Sequence, residues 1–374
     1  MSGSPVPVAV NLLWCVPGAV GGSEEYLVRQ LVGLAAIESA VVPTLYVLPG
    51  FAAAHPELAA VFRMVEAKVD GANRARRVLA EHMWLARETS GSRLVHHGGG
   101  TLPGKPAKGS ATVLTIHDLQ YRTFPQYLSN NKRRYLQWTM PRSAKRATVI
   151  ATPTEYVRQT VIEAYAIDPD RVMVVPHGIE PTLGHRATGE AELREKYALG
   201  DGPVLVLPAM THPHKGHQFL LDVMATHWTD PALRLVLIGG AGSHEGAVMR
   251  SIEALGLGDR VLRPGRVSAE DRDGLLSLAM AMVFPSEYEG FGAPVIEAMV
   301  LGVPVICSDR TCLPEVAGDA AIVVPLELDA WAGVLDEARW RRSELSRAGR
   351  ARATRFTSVT SAEALLDVYA RALG

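Results

Sequence analysis

A glycine-rich loop at a strand-to-helix junction is the part of the sequence best suited to chemistry. It lies in FPSEYEGFGAPVIEAMVLGVPVI, residues 284–306, between a predicted buried strand and a helix predicted to start at Pro294. Proline suits a first helical turn because the N–H that it lacks has no partner there. The remaining N–H groups and the helix dipole predict a phosphate site. The residues assigned to it are Gly290, Phe291, Gly292 and Ala293.

Two glutamates frame this loop. Glu289 precedes it, and Glu297 follows within the first turns of the helix. A carboxylate accepts hydrogen bonds from neighbouring sugar hydroxyls, so Glu297 is predicted to bind a ribose diol and Glu289 the hydroxyls of a transferred sugar. The structural alternative is that Glu297 stabilises the helix dipole and Glu289 is a solvated loop residue. Because both flank one Gly-Phe-Gly loop, we favour binding.

A lysine supplies the opposite charge. Lys215 comes just before a predicted helix, where a cation can neutralise a diphosphate that is leaving. The alternative is a solvated surface lysine. Neither G-x-G-x-x-G after the first strand nor G-x-x-x-x-G-K-[ST] occurs, which argues against a dinucleotide dehydrogenase and a P-loop kinase.

Strand and helix patterns alternate along the chain in two successive blocks, as in a parallel sheet with helices on both faces. We predict two doubly wound α/β domains, residues 1–183 and 184–374, with the last helix able to pack on either. The first block has predicted strands at 5–14, 41–48, 94–97, 112–116 and 172–175 and a helix at 73–88. The second block has strands at 204–207, 233–238, 281–284 and 303–307 and a final helix at 359–373.

Composition narrows the class of protein. The 374 residues are 48% hydrophobic and 21% charged, with a net charge of −1, which describes a globular chain and argues against general nucleic-acid binding. Three cysteines are too few for a disulfide framework, and the adjacent His96 and His97 point to opposite faces of a strand, so we predict no metal site. The absence of an export signal and of a long apolar run predicts a cytoplasmic protein.

Several segments together resemble retaining glycosyltransferases of family 4, which have the GT-B fold of two Rossmann-like domains facing each other across a cleft. The resemblance covers nearly the whole chain. It rests on EYEGFGAPVIEAM and GVPVICSDRTCLPEVAGDAAIVV, and on GGSEEYLVRQL, TIHDLQYRTFPQYLS, ATPTEYVRQTV, VVPHGIE, PAMTHPHKGHQFLL and LVLIGGAG. Such enzymes transfer a sugar from a nucleoside diphosphate sugar, and the resemblance implies that no metal or other cofactor is needed. It also implies that domain 1–183 binds the acceptor and domain 184–374 the donor.

The resemblance assigns further residues. Gly21 and Gly22, before Ser23 as the expected helix cap, would pack against the donor phosphates, and His117 would contact the transferred sugar at the reaction centre. Val267 follows RPGR where family members hold the nucleobase. Family members often have an arginine shortly before this lysine. That arginine is missing here, so either His212 or His214 supplies a positive charge or backbone N–H groups bind more of the phosphate oxygens.

The implied reaction is retaining transfer in which the diphosphate leaves from the face that the acceptor attacks. The catalytic set is His117, Lys215 and Glu289. The stretch 117–129 resembles members that use GDP-mannose, so mannosyl transfer is the first expectation and a UDP-glucose or UDP-N-acetylglucosamine donor the second. A GT-B epimerase or phosphorylase and a non-catalytic sugar-nucleotide binder are the alternatives from other classes.

A basic stretch marks a second partner. Residues 130–146, NNKRRYLQWTMPRSAKR, mix six Lys or Arg with Tyr135 and Trp138, and residues 1–185 carry a net charge of +5. Lys132, Arg133 and Arg134 are therefore predicted to contact an anionic membrane or a lipid-linked acceptor. A solvated helix face is the alternative.

Overall fold

The computed structural model describes residues 5–18, 21–104, 109–180 and 182–374. They form two compact units, the first made of residues 1–178 and 356–374 and the second of residues 179–355. The chain therefore divides between Gly178 and Ile179, five residues before the boundary that the turn-rich stretch indicates, and the terminal helix lies in the first unit.

Seven parallel strands form the sheet of the first unit. In space their order is 3-2-1-4-5-6-7, so the direction of winding reverses between the first and fourth strands. Ligands of doubly wound sheets bind beyond the carboxyl ends of the strands at such a reversal. The strands are β1 (Val6–Asn11), β2 (Val41–Val47), β3 (Arg63–Glu66), β4 (Leu94–His97), β5 (Ala111–Thr115), β6 (Val149–Thr152) and β7 (Val172–Val174).

Helices cover both faces of this sheet. Val8 and Val10 of β1 pack into one apolar cluster, whereas Ala9 and Leu13 pack into another, as strand alternation requires when both faces are buried. The helices are α1 (Gly22–Ala35), α2 (Phe51–Ala54), α3 (Pro56–Ala59), α4 (Arg74–Ala80), α5 (Ala86–Glu88), α6 (Gln120–Thr123), α7 (Asn130–Arg146) and α8 (Glu155–Tyr165).

The second unit repeats the architecture. Its six parallel strands have the spatial order 3-2-1-4-5-6, so the winding reverses between its first and fourth strands, and these two are neighbours at the centre of the sheet. The strands are β8 (Val204–Pro208), β9 (Arg234–Ile238), β10 (Val261–Gly265), β11 (Ala281–Phe284), β12 (Val305–Ser308) and β13 (Ile322–Val324).

The helices of this unit are α9 (Glu190–Lys196), α10 (His217–Thr226), α11 (Glu245–Ala254), α12 (Ala269–Leu278), α13 (Ala293–Leu301), α14 (Leu313–Ala317), α15 (Leu328–Trp331), α16 (Val334–Trp340) and α17 (Arg342–Ala353). The predicted doubly wound α/β architecture is thus confirmed in both units. Strands β3, β6, β10 and β13 were not predicted; at three to five residues they carry a weak periodic signal, as do the equally short β4 and β7, which were predicted.

The last helix, α18 (Ser358–Leu373), packs on α1 of the first unit. The approach is close because Gly33 has no side chain, and a Cβ there would lie 1.8 Å from the carbonyl oxygen of Ser358. Tyr369 of α18 also hydrogen-bonds His96 of β4, with 2.9 Å between its hydroxyl and Nδ1. These contacts explain why the C-terminal residues complete the first unit.

Candidate active site

The glycine-rich loop leads from β11 into α13 as predicted, with the helix one residue earlier than Pro294. Gly292 caps the helix with φ 81°, and a Cβ there would lie 2.7 Å from Cδ2 of Leu313. Positive φ and close contact both require glycine at this position. Phe291 is buried, so its ring belongs to the core and only its backbone can serve a ligand. The helix begins immediately beyond, so its first N–H groups lie where the sequence predicts a phosphate site.

Glu297 lies on the buried side of α13, with only 5% of its surface exposed. A carboxylate in such a position is expensive to bury without polar neighbours. It therefore differs from a solvated first-turn acid, which was the structural alternative. The burial favours a carboxylate that serves a specific polar group.

Lys215 and Glu289 form an ion pair, with 2.6 Å between Nζ and Oε1. They are 74 residues apart in sequence, but β8 and β11, which lead to them, are adjacent at the centre of the sheet. Their side chains are 20% and 11% exposed, so the pair is only partly screened by water. The structure thus brings two of the three predicted catalytic residues into contact.

Close backbone packing fixes the Lys215 turn against the end of β11. A Cβ on Gly216, which has φ 72°, would lie 2.1 Å from the carbonyl oxygen of Pro285. The N–H of Glu287 donates to the carbonyl oxygen of His214 at 2.7 Å, and the Ser286 hydroxyl donates to the same oxygen at 3.1 Å. Lys215 therefore projects from a rigid turn.

His214 does not supply the charge of the missing arginine. Burial, together with the charge of Lys215, lowers the pKa of His214 to about 3, so this side chain is neutral at pH 7. Its ring stacks on that of His212, with centroids 5.8 Å apart. Nδ1 of His212 accepts a hydrogen bond from the N–H of Ser243 at 3.4 Å. His214 can therefore serve the donor only as a neutral hydrogen-bonding group.

Arg263 is a positioning residue that sequence reasoning missed. It is almost fully buried on β10 and donates to the carbonyl oxygens of Leu237 and Gly239 at 3.0 and 2.7 Å and to Glu245 at 2.9 Å. Glu245 in turn accepts from the Thr211 hydroxyl at 2.5 Å. The network ties the loop after β8 to the loop after β9. Arg263 is thus committed to protein groups.

Val267, the predicted nucleobase position, lies at the carboxyl edge of the sheet in the second unit. Val267 is half-buried just after β10. The guanidinium of the neighbouring Arg266 approaches Gly240. A Cβ on Gly240 would lie 3.6 Å from Nη2 of Arg266. Val267 therefore follows β10, which pairs with β9. It lies at the carboxyl edge of this sheet, as do the other donor residues predicted in the second unit.

Thr311 holds the backbone of Glu289 and has an unusual conformation. Its φ is 54°, which is costly for a β-branched residue. Its hydroxyl accepts the N–H of Glu289 at 3.0 Å, and the thiol of Cys312 donates to the Glu289 carbonyl oxygen at 3.3 Å. Strain of this kind often accompanies a functional site.

Replacing Thr311 by alanine is expected to raise the KM for the sugar donor about tenfold, because the N–H of Glu289 loses its acceptor. Thr311→Ser keeps the hydroxyl and should retain near-normal KM. Steady-state kinetics with varied donor measures both variants. Equal KM values for Thr311→Ala and the unmodified protein would show that the hydroxyl does not position Glu289.

In the first unit, His117 lies just beyond the carboxyl end of β5. Its Nε2 donates to the carbonyl oxygen of Gly98 at 2.8 Å, since a carbonyl can only accept. Burial lowers the pKa of His117, so the ring is neutral at pH 7. Nδ1 then carries a lone pair and can accept a hydrogen bond from a hydroxyl. His117 is thus suited to bind a sugar and unsuited to donate a proton.

Three further side chains surround His117 and were not predicted. The rings of Trp14 and Tyr26 lie 5.9 and 5.2 Å from it, and the ring of His177 lies 4.3 Å from Tyr26. The Tyr26 hydroxyl donates to the carbonyl oxygen of Val175 at 2.6 Å. Trp14 is the last residue of the predicted strand 5–14, and His177 follows the predicted strand 172–175, so a position at a strand end was the available signal.

Helix α1 begins at Gly22. Its N-cap is Gly21, where Ser23 was expected. Gly21 has φ 68°, and the N–H of Glu24 bonds to its carbonyl oxygen at 2.9 Å. Both glycines are exposed, and among the described residues, apart from chain neighbours, no atom lies within 4 Å of either Cβ position. Because Glu24 and Glu25 lie in this first turn, any attraction of phosphate here depends on backbone N–H groups.

Within the described ranges, no group of three or more His, Cys, Asp or Glu side chains could hold a metal ion. In the same part of the chain, no helix is long and apolar enough to cross a bilayer.

Comparison with known proteins defines the class. The family model "Glycosyltransferase Family 4" matches residues 20–183 and "Glycosyl transferases group 1" matches residues 190–347. O-antigen chain mannosyltransferase B of Escherichia coli is 30% identical over 273 residues, which cover 71% of each chain. A D-inositol 3-phosphate glycosyltransferase of Xylanimonas cellulosilytica is 33% identical over 62% of this chain and 58% of that enzyme.

The fold agrees with these matches. The structure of HepE from Anabaena in complex with UDP-glucose superposes with a TM-score of 0.75 at 18% identity, covering 97% of this chain and 99% of that one. The protein is a glycosyltransferase with the GT-B fold. It belongs to glycosyltransferase family 4, with bacterial O-antigen mannosyltransferases among its relatives.

Proposed function

We propose that this glycosyltransferase transfers mannose from GDP-mannose to a glycan or lipid-linked acceptor, with retention of configuration and without a metal ion. The observation that carries the proposal is the Lys215–Glu289 ion pair of 2.6 Å beside the loop that leads into α13. An ammonium group and helix N–H groups at one edge of one sheet suit a leaving diphosphate, because fixed charges and dipoles stabilise developing negative charge.

In the proposed mechanism the diphosphate binds at the start of α13 and competes with Glu289 for Lys215. As the bond between the anomeric carbon and the diphosphate oxygen breaks, Lys215 follows the growing negative charge. Glu289 is then available to accept hydrogen bonds from the sugar hydroxyls, and Glu297 accepts those of the ribose. His117, neutral and with a lone pair on Nδ1, accepts a further sugar hydroxyl.

The same ion pair supports retention. Inversion needs a general base that takes the acceptor proton, whereas in this proposal Glu289 is engaged first by Lys215 and then by the sugar hydroxyls. In the proposed step the acceptor oxygen bonds to the anomeric carbon on the face that the diphosphate leaves. The acceptor proton passes to the departing phosphate oxygen, so no protein base is consumed.

Related proteins support the choice of donor. The match to O-antigen chain mannosyltransferase B favours mannose. A UDP-sugar is the second candidate, because HepE was solved in complex with UDP-glucose.

We expect GDP and GDP-mannose to raise the melting temperature of the protein more than UDP, ADP, UDP-glucose or UDP-N-acetylglucosamine, since a ligand that binds only the native state stabilises it. Glu297→Gln should remove most of this shift, because an amide replaces one acceptor oxygen by a donor. Glu253→Gln on the exposed surface of α11 is the matched control and should respond like the unmodified protein.

These melting-temperature shifts distinguish the candidate donors. Selective stabilisation by UDP compounds would replace the mannosyl proposal by UDP-sugar transfer. A nucleotide shift that survives in Glu297→Gln would remove Glu297 from the ribose site. The configuration of the product, read by NMR of the new glycosidic bond, tests retention directly.

Electrostatic contact with an anionic membrane is part of the proposal. Lys132 and Arg134 are exposed in the first turns of α7, with Arg133 half-exposed between them. Residues 119–154 contain seven Lys or Arg and no Asp or Glu. A lipid-linked acceptor would reside in such a membrane.

A further inference from the structure

A cavity of about 310 Å³ lies in the first unit, and none of the residues that line it is assigned to the donor. It is lined mainly by apolar side chains, with two cations at its rim. We call it the α4 slot. It is formed by Ala67, Lys68, Val69, Arg76, Leu79, Ala80, Met83 and Trp84.

The outer wall of the α4 slot is an exposed apolar surface. Leu79 and Met83 are 57% and 67% exposed, on one face of the helical stretch that joins α4 to α5 through a π-helical turn at Glu81–Leu85. The inner face of the same stretch packs Ala80 and Leu85 against Tyr46 and Leu48. The exposed pair is therefore not needed to close the core.

Cations surround the slot and continue onto α7. Residues 63–93 carry seven Lys or Arg against four Asp or Glu, and one of these acids, Glu81, is buried. The Arg74 guanidinium lies 4.8 Å from the centroid of the Tyr135 ring, which connects the start of α4 to α7. On α7 the exposed Trp138 stacks with Arg142 at 4.5 Å. Exposed apolar and cationic side chains thus share one region.

The loop between β4 and β5 joins these two helices more closely. The N–H of Leu102 donates to the Ser143 hydroxyl of α7 at 2.9 Å. A Cβ on Gly104 would lie 3.1 Å from the ring of His82 in the π-helical turn. The α4 slot and the basic face of α7 therefore flank one short loop.

We propose that the α4 slot is a membrane-insertion site that docks on an anionic phospholipid bilayer. Leu79 and Met83 enter the interfacial layer, a lipid acyl chain occupies the cavity, and Lys68, Arg74 and Arg76 contact the phosphate groups. Charge complementarity selects this occupant, because a bilayer interface offers apolar and anionic groups together. A second copy of the chain would bring two cationic surfaces together, which is repulsive.

The test is sedimentation of the full chain with phosphatidylcholine vesicles, with and without phosphatidylglycerol. We expect binding only with phosphatidylglycerol, weakened by salt, and a loss of about tenfold or more in Leu79→Ser/Met83→Ser, since two apolar side chains no longer enter the interface. Met249→Ser, at an exposed position on α11 of the other unit, is the matched control and should bind normally.

The fluorescence of Trp84 shows whether a lipid acyl chain occupies the cavity. Phospholipids brominated on the acyl chain should quench part of the tryptophan emission, and Trp84→Phe should remove that part. Unchanged vesicle affinity of Leu79→Ser/Met83→Ser, or quenching that is the same in Trp84→Phe, would overturn the proposal. Circular dichroism verifies that each variant is folded.

This inference rests on the membrane contact of the proposed function and adds a second site to it, but it can fail separately from glycosyl transfer. Vesicle binding needs no nucleotide, and the melting shift with nucleotides needs no vesicle. A slot variant that loses vesicle binding but keeps the nucleotide shift would support the membrane site. Loss of the nucleotide shift in the unmodified protein, with vesicle binding intact, would reject the donor assignment alone.

Discussion

Lys215→Ala is expected to lower turnover about 100- to 1,000-fold, the effect typical of removing one group that stabilises charge in a transition state. The reason is the position of Nζ at the edge of the sheet where the start of α13 also lies. Donor KM should change less than turnover, because the interaction strengthens as the diphosphate leaves. Steady-state rates with saturating donor measure the change.

A structural role of Lys215 gives a different result. Its loss leaves Glu289, only 11% exposed, without the ammonium group, and this should lower the melting temperature. Lys215→Ala/Glu289→Gln removes that buried charge and should recover much of the melting temperature without recovering turnover. Arg186→Ala, in an exposed pair with Glu270, is the control and should be fully active. Normal turnover in Lys215→Ala would remove this lysine from the mechanism.

The second large effect is acid destabilisation by buried neutral histidines. Burial lowers the pKa of His96 and His97 in the first unit and of His214 in the second to about 3, and that of His217 to about 4. In the unfolded chain a histidine titrates near pH 6.5. Between the folded and unfolded pKa values the unfolded chain therefore binds more protons than the native one.

The sign follows from this difference in bound protons. The free energy of unfolding is unaffected above about pH 6.5 and falls as the pH drops below it, by about 1.4 kcal/mol per pH unit for each such histidine. Burial raises the pKa of Glu81 to about 7, and this group acts in the opposite sense in the first unit. We still expect a net loss of several kcal/mol between pH 7 and pH 5, so activity should disappear there through unfolding.

Urea unfolding at pH 7, 6 and 5 measures this loss. His217→Gln should reduce the pH dependence, even though the variant starts from a lower stability. His185→Gln, at an exposed position, is the control and should leave the pH dependence unchanged. A free energy of unfolding that stays constant from pH 7 to pH 5 would contradict the prediction.

Burial also limits what the sequence reveals about each site residue. The types and order of Gly290, Gly292 and Pro294 were sufficient to predict a glycine-bracketed loop that leads into a helix, because glycine and proline preferences are local. His117 and His214 were assigned from the resemblance to the family. That both are neutral depends on desolvation by residues distant in sequence, which no local pattern records.

The sequence by itself determined that the chain forms two doubly wound α/β units, because hydrophobic periodicity reports which residues are buried on a helix or strand. It also determined the glycine-rich loop and the glutamates that flank it. Only the tertiary structure decided that Lys215 contacts Glu289, since strand order places β8 beside β11, and periodicity contains no information on strand order. The return of α18 to α1 and the exposure of Leu79 and Met83 were decided in the same way, by packing between segments far apart in the chain.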